Sequence, residues 1–135
     1  MGVIQKMDVI NRVKWFIQRG RCGYAECDFW DFNTYLIDII IAGIEDLKKN
    51  SCGCPNEFYD AKNLNNECER WLIVLDEISE GFKAGKKIIN YDCMRWEKSG
   101  EYYKHVFDEE EAKLLAKKFD RGIELFSKYF LDLWG

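Results

Sequence analysis

The sequence predicts an all-α protein, a compact bundle of about four helices, on three observations. Apolar residues recur at spacings of three and four along most of the chain, which is the period of an α-helix. A single proline and the lack of long Gly/Ser runs leave few helix breaks and no flexible linker in 135 residues. The hydrophobic content of 47% is sufficient for a packed core. We therefore expect one helical domain over residues 1–135.

The first two helices are predicted on either side of a polar corner. A helical stripe over residues 3–18 indicates the first helix, and Gly20 favours its end. Asp31 is the expected cap of a second helix over Phe32–Lys49. Isoleucines surround the middle of this second helix, so we expect it to be the most buried helix, with Gly43 at a close helix contact.

The second half of the chain predicts two more helices with an irregular segment between them. A third helix is expected over Tyr59–Phe82, and a last helix from Asp108, where an acidic run suits the positive end of the helix dipole. Residues 83–106 fit either irregular helix or a short hairpin that turns at Ser99-Gly100. The predicted apolar seam of the third helix consists of Leu64, Cys68, Trp71, Leu75, Ile78 and Phe82. In the hairpin, one strand would place Ile88, Ile89 and Trp96 opposite Tyr102, Tyr103 and Val106 of the other.

The net charge of −4 conceals a polarised distribution. Residues 1–25 hold five basic residues and one acidic residue, whereas residues 26–80 hold four basic and thirteen acidic residues. Residues 81–105 are again basic, with six basic and three acidic residues. Because a general nucleic-acid binder shows a stronger basic excess, we do not expect general nucleic-acid binding. Two basic edges around an acidic middle could instead hold a small anion or pair charge internally.

The six cysteines of the chain are candidate metal ligands. Cys22-x4-Cys27 and Cys52-Gly-Cys54 do not match the usual C-x-x-C spacing of zinc sites, so we expect no metal and no cofactor. Charged residues interrupt the apolar pattern of the N-terminus, and no apolar run approaches the length of a membrane span. We therefore expect reduced cysteines in a reducing cytoplasm and no contact with a membrane.

Two groups of residues are candidates for ligand binding. In the first group, two arginines, a tyrosine and an aspartate lie close together in the sequence between the first two helices. In the second group, basic residues alternate with aromatic residues in segment 83–106, a mixture that suits phosphate contact and ring stacking. The alternative interpretation is a rigid corner with Trp30 and Tyr35 in the core and a solvated basic arm. The eight candidates are Arg19, Arg21, Tyr24, Asp28, Lys86, Lys87, Arg95 and Trp96.

Two isolated polar residues favour structural roles over chemical ones. Asp38 stands among isoleucines, so it requires solvent or a cationic partner. The lone His105 is expected at the surface.

Three blocks of the chain form a distinctive set. The first is RGRCGYAECDFWDFNTYLIDIIIAGIEDL, which the Cys-Gly-Cys-Pro turn follows, the second is the W-x3-L-x2-I-x2-GF pattern of residues 71–82, and the third is the terminal RGIELFSKYFLDLWG. Together these blocks resemble a family of small uncharacterised proteins of tailed bacteriophages and prophages. The resemblance implies a phage origin and action in the cytoplasm of the host bacterium. It supplies no active site.

The sequence therefore favours a binding protein over an enzyme. It contains no Ser/His/Asp set, no phosphate-binding glycine loop and no His-rich metal motif. Our leading hypothesis is a phage accessory protein that binds and blocks a host or anti-phage-defence component. The surplus of apolar residues on the last helix also predicts a homo-oligomer. The alternatives are a sponge that sequesters a nucleotide immune signal and a minor virion or assembly protein.

Overall fold

A computed structural model describes residues 3–50, 53–59 and 68–134, with side chains from residue 8 onward. Within these ranges most residues are helical and one short hairpin is present, which confirms the predicted all-α class. The elements, in chain order, are α1 (Val3–Cys22), α2 (Phe32–Asn50), α3 (Glu69–Ile89), β1 (Met94–Ser99), β2 (Tyr102–Phe107) and α4 (Glu109–Lys128).

The chain forms two compact units, one up to Leu36 and the other from Ile37 onward. The boundary falls inside α2, whose first residues belong to the first unit. Each unit has stabilising contacts of its own. The single domain over residues 1–135 stays a prediction.

The core of the second unit lies between α3 and α4. Trp71, Leu75, Ile78 and Phe82 of α3 are buried at spacings of three and four residues, and Leu125 of α4 belongs to the same cluster. The predicted apolar seam is therefore confirmed over this part of α3. Burying such a row removes several large apolar side chains from water, which is the main favourable term in folding.

Both ends of α3 differ from the prediction of Tyr59–Phe82. The helix begins at Glu69 and continues to Ile89, seven residues beyond the predicted end. Leu64 lies outside the described residues. Cys68 is half-buried at the N-cap position and does not belong to the buried core, so its prediction as a core residue is wrong.

Glycines of α3 let α4 approach its backbone directly. A Cβ atom on Gly81 would lie 2.6 Å from the Cα of Gly122, and one on Gly85 would lie 2.6 Å from the ring of Phe119. Real Cβ atoms do not come this close to other atoms, so these positions exclude a side chain. No atom of the described residues lies within 4 Å of a Cβ atom on Gly43, so the predicted close helix contact at this residue is wrong.

α3, and not α2, is the most buried helix. Within α2, all of which is described, Ile37 and Ile44 are buried whereas Ile39 is 47% exposed. α2 presents one narrow stripe to the core, although its middle is apolar on several sides. α3 contacts α4 through its glycine face and α2 through polar side chains. Its buried residues are Trp71, Leu75, Ile78, Ser79, Gly81, Phe82, Ala84 and Gly85.

The segment after Lys83 resolves into the end of α3 and the predicted hairpin. β1 and β2 are antiparallel, and Ser99 pairs with Tyr102 across the predicted turn. Gly100 has a φ of +67°, a left-handed conformation that glycine adopts without strain. The predicted partners are wrong in detail, because Ile88 and Ile89 end the helix and Trp96 pairs with His105.

Polar side chains join α2 to α3. The Glu45 carboxylate accepts hydrogen bonds from Ser79 Oγ at 2.5 Å and Lys83 Nζ at 3.1 Å, and Lys48 Nζ lies 3.4 Å from it. These donors, Ser79 first, lower the pKa of Glu45 from 4.5 to about 2. Asp38 pairs with Lys86 at 2.6 Å, which confirms its expected role as a salt-bridged surface residue.

We expect Gly122→Ala to destabilise the protein by about 1–3 kcal/mol, because the new methyl group meets the α3 backbone. Gly43→Ala is the matched control: its methyl enters open space, so the helix should gain about 0.5–1 kcal/mol. Denaturant unfolding of both variants measures the difference. Equal effects of the two substitutions would contradict the glycine contact.

The lowered pKa of Glu45 makes stability depend on pH. Its ionised form is favoured in the folded state, so its contribution is complete above pH 4.5 and is lost as the pH falls towards 2. We expect Glu45→Gln to unfold more easily than the wild type at pH 7, with the difference shrinking as the pH approaches 2. Glu110→Gln, which changes a highly exposed carboxylate, is the control. A pH-independent difference for Glu45→Gln would argue against the assigned donors.

Candidate functional site

The structure places the eight predicted ligand residues in two separate groups. The first unit holds Arg19, Arg21, Tyr24 and Asp28, and the second unit holds Lys86, Lys87, Arg95 and Trp96. Four of the eight predicted residues therefore belong to each unit. Each group has to be judged from its own contacts.

Arg19 and Asp28 bind each other. Arg19 Nε donates to Asp28 Oδ2 at 2.9 Å and Nη2 donates to Oδ1 at 2.5 Å, a two-point contact between the guanidinium and the carboxylate. Oδ2 also accepts the backbone N–H of Ala25 at 2.8 Å. The hydrogen bonds from Arg19 lower the pKa of Asp28 from 3.8 to about 2, and the N–H of Ala25 contributes to this shift. Burial of the carboxylate acts in the opposite direction but is outweighed. This pair is a structural bridge between α1 and the corner, residues 23–31.

A second set of polar contacts lies one turn earlier on α1. Lys14 Nζ donates to Glu26 Oε1 at 2.5 Å, and the Gln18 side-chain oxygen accepts the Glu26 N–H at 3.1 Å. The Lys14 hydrogen bond is the main reason that the pKa of Glu26 is lowered. The side of α1 that contacts its own corner is therefore largely polar, with Trp15 half-buried beside it.

The opposite side of α1 is apolar and exposed. Its large side chains are each more than half exposed, and Phe16 is 79% exposed. They recur at the spacing of one helix face, and we call them the outward face: Val9, Ile10, Val13, Phe16 and Ile17. α1 is therefore amphipathic in the inverse sense, with polar residues towards its own unit and apolar residues towards solvent. The sequence pattern located this stripe but did not indicate that it lies on the surface.

The corner itself is aromatic on its exterior. The Tyr24 ring meets Phe29 and Phe32 edge to face, with centroids 5.5 and 6.2 Å apart. Trp30 is 90% exposed, so the prediction of a core tryptophan is wrong. The corner is built round the buried carboxylate of Asp28 and offers the indole no apolar interior. Tyr35, predicted as core, is half-buried, and its hydroxyl donates to the Gly23 carbonyl.

Cations of the second group are also paired with carboxylates. Lys86 bonds to Asp38, and Arg95 Nη2 donates to Asp108 Oδ2 at 2.9 Å. The other oxygen of Asp108 accepts the N–H of Glu111 and so caps α4. These contacts give the two cations structural roles.

The remaining members of the second group are exposed. Lys87 lies in the last turn of α3. Trp96 is 67% exposed and touches only the edge of the His105 ring among the described ring contacts. His105 is exposed, as the sequence predicts.

A groove of about 490 Å³ runs between α3 and α4. One wall is acidic and the other is basic, and Arg121 crosses between them to reach Glu77 at 3.1 Å. None of the eight predicted residues lines this groove. Its lining residues are Asp76, Glu77, Glu80, Gly81, Leu114, Lys117, Lys118 and Arg121.

The described residues contain neither a cluster of metal ligands nor a helix suited to a membrane. Among the residues that the structure describes, no three His, Cys, Asp or Glu side chains gather as metal ligands would. Cys52, one half of the Cys-Gly-Cys motif, lies outside the described residues. Within the same described ranges, no helix combines the length and the apolar character that crossing a bilayer requires.

Comparison of the chain with protein-family models, with curated protein sequences and with solved structures finds no match. The phage family suggested by the three sequence blocks therefore stays a prediction.

We expect Asp28→Asn to loosen α1 from the corner, because the neutral amide loses the charge-assisted pair with Arg19. Amide hydrogens of residues 8–22 should then exchange at least about tenfold faster. Arg21→Gln, a change of an exposed cation in the last turn of α1, should leave the exchange unchanged. Unaltered exchange in Asp28→Asn would show that another contact holds the helix.

Proposed function

We propose that this protein is a phage-encoded, non-enzymatic accessory protein that binds and blocks a host or anti-phage-defence protein in the host bacterial cytoplasm. The observation that carries the proposal is the outward face of α1, a row of five exposed apolar side chains. Contiguous exposed apolar patches on soluble proteins mark interaction sites. The phage origin and the cytoplasmic location are supported by the sequence resemblance alone.

The first unit supplies a physical reason for a partner. Among residues 8–36, Ala25 and Asp28 are the buried residues, so this part of the chain has a polar centre in place of an apolar core. The large apolar side chains of the outward face stay in water. Each Å² of apolar surface left in water forgoes about 25 cal/mol of burial free energy. A partner that covers the outward face would recover this term.

The spacing of the outward face suits recognition of a helix by a groove. Val9, Val13 and Phe16 follow one another at intervals of four and three residues, the pattern by which an amphipathic helix inserts its anchors into an apolar groove. Phe16 is the most exposed of the three and the largest, which makes it the expected central anchor.

Charge indicates the kind of groove. The segment of residues 1–25 carries a net charge of +4. Arg12 and Arg21 are exposed on α1, and their helical positions place them beside the outward face. A groove with carboxylates on its rim would complement these cations, whereas a second copy of α1 would repel them. The homo-oligomer therefore stays a prediction that concerns the last helix and not α1.

No specific observation among the described residues supports either of the two alternative functions. Arg19, Lys86 and Arg95, proposed for the nucleotide sponge, are each bonded to a carboxylate. A virion or assembly role likewise rests on the sequence. Both stay predictions.

We expect Phe16→Asp to weaken binding of the partner more than tenfold, because it places a charge at the centre of an apolar contact. Affinity purification from phage-infected cells identifies the partner, and titration of the purified pair gives the two dissociation constants. The titration should be accompanied by an assay of the partner's own activity, which the wild type should inhibit.

Ile73→Asp is the matched control, since Ile73 is an exposed apolar residue of α3 in the second unit, 58% exposed, and lies outside the last helix. It should bind like the wild type. Recovery of the same partner at the same affinity by Phe16→Asp, or recovery of no partner by the wild type, would contradict the proposal.

A further inference from the structure

The β1–β2 hairpin presents two faces of different chemistry. Side chains alternate between the faces of a strand, so the register assigns every residue to one face or the other. The first face carries Met94, Trp96, Lys98, Tyr103, His105 and Phe107, and the second carries Arg95, Glu97, Ser99, Tyr102, Lys104 and Val106. We call the first the aromatic face.

The rings of the aromatic face are open to solvent. Trp96 is 67% exposed, Tyr103 65% and Phe107 53%. Large rings on a two-stranded hairpin normally serve to pack it against a core, because such hairpins are marginally stable alone. Here the described rings are left largely uncovered, so packing does not account for them.

Charge separates the two faces as well. Lys98 is the cationic side chain of the aromatic face, which carries no carboxylate. Glu97 lies on the second face, directly opposite Lys104. The aromatic face therefore combines rings with one lysine and has no carboxylate that would repel an anion.

We propose that the aromatic face binds single-stranded nucleic acid by stacking its bases, with Lys98 at the phosphates. This differs from the expectation of no general nucleic-acid binding, which considered charge alone and not exposed rings. Tyr103, the Trp96–His105 pair and Phe107 occupy successive same-face positions, about 7 Å apart along the strands. Each position can accept one base, and stacking on aromatic side chains is tolerant of base identity. The surface is distinct from the outward face of α1.

The open shape of the face distinguishes a strand from a free nucleotide. Small-molecule sites are concave and enclose most of the ligand, whereas this face is the exposed surface of a hairpin. A polymer can use several rings in a row and does not need enclosure. A duplex hides the faces of its bases inside the helix, so the rings of this face cannot stack on them.

The test is fluorescence anisotropy of a short labelled oligothymidine titrated with the full chain at low salt. Trp96→Ala and Tyr103→Ala should each weaken binding about tenfold. Trp96→Phe, which keeps a ring, should retain most of the affinity. Tyr102→Ala is the matched control, because Tyr102 is 79% exposed on the second face of the same hairpin.

Four results would overturn the proposal. They are no binding of the oligonucleotide by the wild type, an equal loss in Tyr102→Ala and Trp96→Ala, equal binding of the corresponding duplex, and competition by thymidine monophosphate at the same base concentration. The last result would assign the face to a free nucleotide. Circular dichroism of each variant verifies that the hairpin variants remain folded.

Discussion

The buried carboxylate of Asp28 decides how the first unit is built. It accepts two hydrogen bonds from Arg19 and one from the backbone of Ala25, and so joins the end of α1 to the corner. A buried carboxylate without such donors would be costly, so Arg19 has to lie on the side of α1 that faces the corner. The apolar side of the helix then lies away from the corner. The exposed stripe of α1 is thus a consequence of the same contact.

The second unit is built on the opposite principle. Gly81 and Gly122 remove side chains from the crossing of α3 and α4, so two backbones touch and the flanking apolar rows interlock. The second unit therefore has an apolar core, whereas the described part of the first unit does not. Its carboxylate, Glu45, joins α2 to α3 from the side and not from the centre.

Both proposed functions use surfaces in preference to cavities. The proposed partner of the outward face of α1 is a groove on another protein, and the proposed ligand of the aromatic face of the hairpin is a strand of unpaired bases. One relies on apolar burial with a basic border, and the other on stacking next to a lysine. The two surfaces belong to different units and can be tested with separate variants.

The sequence by itself determined that α1 to α4 form, although not the bounds of α3, because periodicity, caps and turn residues act locally. The acidic start of α4, the seam of α3 from Trp71 and the hairpin turn at Gly100 could all be predicted this way. It also indicated that Asp38 requires a cation, though not that the cation is Lys86. A period of 3.6 residues shows that a helix has an apolar side, but the same period fits a core and a surface.

Only the tertiary structure decided which way each apolar side points. The pairing of Arg19 with Asp28 turned the stripe of α1 outwards, and the meeting of Gly81 with Gly122 made α3 and not α2 the buried helix. It also assigned four of the eight predicted ligand residues to each unit. These outcomes depend on contacts between residues far apart in the chain, whose partners no local pattern names.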